Sequence, residues 1–93
     1  MVLGVLQLSI RLPEAQSLKE KRWPLKSLLT RIRNKFNVSI AEVGGQDSWQ
    51  IATVAAAHVG TSRAHTNEVL DKVADFARGM RQIEVIDTQL EFF

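Results

Sequence analysis

The residues most able to do chemistry are cations and one indole: Lys19, Arg22, Trp23, Lys26 and Arg33. At about 100° per residue, Lys19, Arg22, Lys26 and Arg33 fall within roughly 60° of one another on a helical wheel. Lys21, Arg31 and Lys35 are read as the opposite flank of the same helix, and Glu20 alone offsets them. Such a face suits phosphate neutralisation with release of counterions, which is how proteins grip RNA or DNA without reading sequence. Trp23 adds a second element. If the helix runs through it, the indole points away from the apolar stripe, between Arg22 and Lys26, as a stacking platform for an unpaired base. Two plainer readings stand beside these. The basic face is ordinary solvated helix surface, and Trp23 is turned back onto the protein by a kink.

Other candidates carry less. Glu42 and Asp47 flank a glycine-rich turn and could form an acid–base pair or bind a hard cation, but carboxylates there usually shape the turn. His58 and His65 have no cysteine, no serine nucleophile context and no closely spaced carboxylate, so they give only weak grounds for a metal site or catalytic triad. Between the first strand and first helix, Pro13-Glu-Ala-Gln16 lacks the glycine a phosphate cradle needs. Leu3, Val5 and Gln7 on the first strand offer no aromatic for an RNA-recognition-motif surface. Nothing identifies a reaction, and the expectation is a non-enzymatic module without metal or cofactor.

The charge is strongly segregated. Residues 1–36 hold eight lysines and arginines against two glutamates, a net +6, although the whole 93-residue chain carries only +2. That asymmetry makes a directional field. Hydrophobic residues make up 45% of the chain, enough for one domain and too many for disorder. No apolar run approaches the roughly 18 residues of a membrane span. With no cysteine, neither disulfides nor thiolate sites can form, which fits a reducing cytoplasm.

These side chains must be positioned by alternating strands and helices. Val2 to Leu12 alternates, with Val2, Leu6, Leu8, Ile10 and Leu12 on the core side. Ser17-Leu-Lys-Glu20 is a capping box. Leu18, Leu25, Leu28, Leu29, Ile32 and Phe36 then form a stripe expected to centre on Leu29. Pro24 predicts a kink between Glu20 and Pro24, or a break with the main helix starting at Pro24. Asn37–Val43 and Trp49–Val59 read as a hairpin around Gly44-Gly45-Gln46-Asp47-Ser48. Gly60-Thr61-Ser62 starts a second helix whose stripe is Val69, Leu70, Val73, Phe76, Ala77 and Met80, with Gly79 as its stop. Ile83–Phe93 closes as a strand whose alternation changes phase near Val85-Ile86, predicting a bulge.

Two β-α-β units with right-handed crossovers predict an α+β, ferredoxin-like fold, β-α-β-β-α-β, with strand order 4-1-3-2 and both helices on one face. One domain spans residues 1–93. Leu3 and Val5 on the open face, with Leu90, Phe92 and Phe93 on the last strand, allow a homodimer through the sheet as the alternative to nucleic-acid binding.

Ser17-Leu-Lys-Glu-Lys-Arg22, Leu28-Leu29, Phe36-Asn-Val-Ser-Ile-Ala-Glu42, Gln46-Asp47 and Trp49-Gln50 resemble the YlxP-like family of small bacterial proteins, at the family's spacing and over essentially the whole chain. Pro24 departs from the apolar helix-former usual there. The resemblance implies a ferredoxin-like fold. Because members are commonly encoded beside translation-initiation and ribosome-maturation factors, it also implies a ribosome-associated role. It carries no catalytic residue over to this chain.

Overall fold

The computed structural model describes residues 1–93. Its elements run β1 (Val2–Arg11), α1 (Leu18–Lys35), β2 (Ser39–Gly44), β3 (Ile51–Gly60), α2 (Arg63–Arg78) and β4 (Glu84–Phe92). The strands form one four-stranded antiparallel sheet in the order β2-β3-β1-β4, the expected ferredoxin-like arrangement. Strand β1 is central because its alternation supplies an apolar face between two partners. Leu6, Leu8 and Ile10 pair with Ala56, Val54 and Ala52 on one side and Leu90, Thr88 and Val85 on the other. These rows lie beneath the helices, and all but the β4 members are fully buried.

The phase change foreseen in the last strand is a bulge. Ser9 pairs with Asp87 while Ile10 pairs with Val85, leaving Ile86 over. That one surplus residue shifts the alternation of β4 by one position, which is otherwise regular through Phe92.

Helix α1 begins at the predicted cap, where the Ser17 hydroxyl accepts from the Glu20 amide at 3.1 Å. It is continuous through Pro24, so no break occurs there. Leu25 on the buried face and the tertiary packing of the following turns outweigh the hydrogen bond that proline cannot donate. The stripe centres on Leu28 and Ile32, both wholly buried. Leu29, expected at its centre, is only partly buried at the rim. Helix α2 starts at Ser62, whose hydroxyl accepts from the His65 amide at 3.2 Å, and is capped at Gly79 in an ordinary right-handed conformation.

Close approach of α2 to the sheet depends on Gly4. A Cβ at that position would lie 2.6 Å from Thr66 Cγ2 and 3.0 Å from Leu70 Cδ1. Thr66 and Leu70 are fully buried and have little room to withdraw. Gly4→Ala is therefore expected to destabilise the fold by about 1–3 kcal/mol, the usual cost of overpacking. A urea midpoint unchanged from the parent would show that α2 slides freely over β1.

Candidate nucleic-acid interface

Eight cations crowd residues 1–36, but the fold assigns four of them internal partners. Arg11 pairs with Glu84 across the open sheet face at 3.1 Å. Lys35 lies 5.1 Å from the Phe76 ring centroid and 5.8 Å from that of Phe36. The Arg33 guanidinium donates to the Ile40 carbonyl at 3.0 Å, which ties part of this predicted phosphate contact to β2. Lys21 departs furthest from expectation. It is not on a solvated flank but buried, with 4% of its side chain exposed.

The reason is spacing. Lys21 follows Leu18 by three residues and precedes Leu25 by four, so it sits on the core-facing stripe. Its ammonium donates to the Gly45 carbonyl at 2.6 Å and the Ser48 carbonyl at 2.8 Å, and lies 3.4 Å from Glu42 Oε2. That last contact is electrostatic, since Glu42 Oε2 is buried without an aligned hydrogen-bond donor. Gly45 makes the turn that presents these carbonyls: its φ is +77°, and a Cβ there would meet the Ile51 carbonyl oxygen at 2.7 Å. Glu42 is thus a counter-ion to Lys21, while Asp47 lies exposed in the turn.

Gln50 fastens the next junction. Its side-chain amide donates to the carbonyls of Pro13 at 3.3 Å and Ala15 at 3.1 Å, and its own carbonyl accepts from the Leu12 amide at 2.7 Å. Lys21 and Gln50 together hold the β2–β3 connection against the start of α1. Lys21 from the Ser17–Arg22 stretch, Glu42 from the end of Phe36–Glu42 and Gln50 from Trp49–Gln50 therefore meet at one end of the sheet, largely as a structural clamp.

The histidines meet at the start of α2, one buried and one exposed. His58 is buried with Nδ1 2.9 Å from the Thr66 hydroxyl, and His65 meets it edge-on at 5.8 Å between ring centroids. No three His, Asp or Glu side chains gather where they could hold a metal ion.

Lys19, Arg22, Lys26 and Arg31 remain, all exposed and without an ion pair or side-chain hydrogen bond in the protein. Helix α2 behaves differently. Its Lys72 bonds Glu68 at 3.1 Å and its Arg78 bonds Asp75 at 3.1 Å. The hydrogen bond and charge of Lys72 hold the Glu68 carboxyl below the usual carboxylate range. One helix neutralises itself, and the other presents unmatched positive charge.

Trp23 is 73% exposed, so the proline does not fold the indole back onto the protein. It stands above an open groove of about 770 Å³ between α1 and the end of α2, where Arg31 and Arg81 also line the wall. Sequence reasoning placed Trp23 between Arg22 and Lys26 and missed this groove. The signal available was the row Lys19, Trp23, Ser27 and Arg31, each four residues from the next.

The comparisons agree on family and fold. A family model described as "Protein of unknown function (DUF503)" matches residues 3–90. The "Uncharacterized protein YlxP" of Bacillus subtilis (strain 168) is 48% identical over 80 residues, covering 86% of this chain and 87% of that relative. A solved structure, "De novo designed protein Foldit4", superposes with a TM-score of 0.53 at 13% identity, covering 98% of this chain and 96% of the design, a likeness of fold alone. With a match across nearly its whole length and a relative of this identity, the chain belongs to the DUF503 family.

Proposed function

We propose that this protein is a non-enzymatic nucleic-acid-binding module of the cytoplasm, acting on RNA or at the ribosome through α1. The observation that carries this reading is the set Lys19, Arg22 and Lys26: exposed, unpaired within the protein, and adjacent to an exposed Trp23. Unmatched cations on a rigid helix are positioned to displace counterions from a phosphate backbone. The resemblance to proteins encoded beside translation factors supports the same direction.

Affinity for single-stranded RNA should fall steeply with salt. Three phosphate contacts imply a slope of log K against log salt of about −2, and a fourth from Arg33 about −3. Arg33 makes that contact only by leaving the Ile40 carbonyl. Arg22→Glu combined with Lys26→Glu should flatten the slope and weaken binding to all sequences alike. Neither side chain has a partner in the protein, so the thermal midpoint should barely move. Fluorescence anisotropy at several salt concentrations, with ribosome co-sedimentation, checks both points. A folded double variant that binds as the parent does would overturn the reading.

The open sheet face supports a second reading, association of two copies. Val59 and Phe93 are 61% and 72% exposed and flank Leu3 at one end of that face, an apolar cluster unusual on a solvated sheet. A mass independent of concentration up to high micromolar protein would exclude it.

A further inference from the structure

The groove beneath Trp23 differs in chemistry from the basic face beside it. Lys19, Trp23, Ser27 and Arg31 form one row at four-residue spacing, so each side chain is a helical turn from the next. The indole therefore has a cation one turn before it and another two turns after it. Across the groove, the turn after α2 brings in Arg81 and Gln82. Neither Arg31 nor Arg81 has an ion-pair partner in the protein. Of the two acidic wall residues, Asp75 is engaged with Arg78 at 3.1 Å, while Glu14 is exposed and has no ion-pair partner, so the two arginines leave the groove a net positive wall. A smaller depression of about 240 Å³ adjoins the groove, with Trp23, Pro24 and Leu12 among its walls, so the indole stands as a ridge between two hollows.

We propose that this groove holds one unpaired base of a single strand, stacked on Trp23, with the flanking phosphates on Arg31 and Arg81. The inference rests on the nucleic-acid reading and narrows it to single strands. A stacking platform needs a base face free of its neighbours, which a duplex does not offer. Gln82 and Ser27 supply neutral donors and acceptors to a base edge while the arginines meet charge. A two-fold pairing of copies through this groove fits poorly, because it would set Arg31 and Arg81 of one copy against the same cations of the other.

The chain has two tryptophans, so Trp49→Phe leaves Trp23 as the sole indole reporter. Four probes separate the possibilities: an oligouridylate single strand, a duplex RNA of equal length, inorganic polyphosphate and polyglutamate. The single strand should quench Trp23 emission, while polyphosphate, which has charge without bases, should bind without quenching. Trp23→Ala should weaken single-strand binding about 5- to 150-fold, the loss of one stacked base. Arg31→Glu with Arg81→Glu should weaken it while circular dichroism stays that of the parent.

If the single strand binds with the expected salt slope, but Trp23 emission is silent and these variants bind within about twofold of the parent, the groove proposal fails and the basic-face reading stands. Equal affinity for the duplex also overturns the groove proposal. Quenching by polyglutamate as strong as that by RNA would assign the groove to an acidic protein segment instead. If neither RNA nor polyphosphate binds, both readings fall together.

Discussion

Replacing Lys21 by methionine is expected to lower the unfolding free energy by about 3 kcal/mol, the lower end of the roughly 3–5 kcal/mol seen when one member of a buried ion pair is removed. The lower end applies because Glu42 keeps 24% of its side chain exposed and can recover some hydration. Methionine nearly matches the lysine stem in volume, so the loss reports the ammonium rather than a cavity. What disappears is specific: two hydrogen bonds to the Gly45 and Ser48 carbonyls and the counter-ion of Glu42. Adding Glu42→Gln to Lys21→Met should restore part of the loss, since the orphaned carboxylate is then gone. Urea denaturation of both variants provides the test. A cost below about 1 kcal/mol for Lys21→Met would mean that the β2–β3 connection is held by Gln50 and its own turn, not by the lysine.

Leu28→Ala should destabilise by about 2–5 kcal/mol, because Leu28 is fully enclosed and the cavity cannot collapse against a β-sheet wall. Leu29→Ala should cost distinctly less, its side chain being only partly buried. The pair is informative together. Equal losses at both positions would mean that α1 is rotated about its axis relative to the packing described, and that the solvent-facing set Lys19, Arg22 and Lys26 is rotated with it.

The backbone plan was legible in the sequence because it depends on periodicity. Alternation in Val2–Leu12, the spacing of the two helical stripes, the serine caps and the phase change near Val85-Ile86 all translate directly into which side of an element faces the core. Leu29 was misjudged for a geometric reason. The stripe from Leu18 to Phe36 is broad enough that its centre shifts by one residue once the true contact line with β2 and α2 is drawn. Lys21 was misjudged for a chemical one. Its spacing from Leu18 and Leu25 marked it as inward-facing, but a lysine reads as surface until a carboxylate is known to wait for it. That carboxylate, Glu42, lies on another strand, and no local pattern links the two. The groove under Trp23 is likewise assembled from α1, α2 and the turn beyond, so only the tertiary fold brings Arg31 and Arg81 to the same wall.

The central place of β1 has a consequence for how the chain folds. Of the six elements it is synthesised before the others, yet its two neighbours in the sheet, β3 and β4, begin at Ile51 and Glu84. Until β4 has emerged, a strand with Leu6, Leu8 and Ile10 along one side keeps an unpaired edge. Both of its pairings are non-local, so closing them carries a loop entropy that neither helix can offset alone. The nascent chain thus passes through a stage in which an apolar strand waits for both of its partners. Helix α1, carrying most of the positive charge, follows directly behind it and keeps that segment tethered to a strongly charged, self-repelling stretch during the interval.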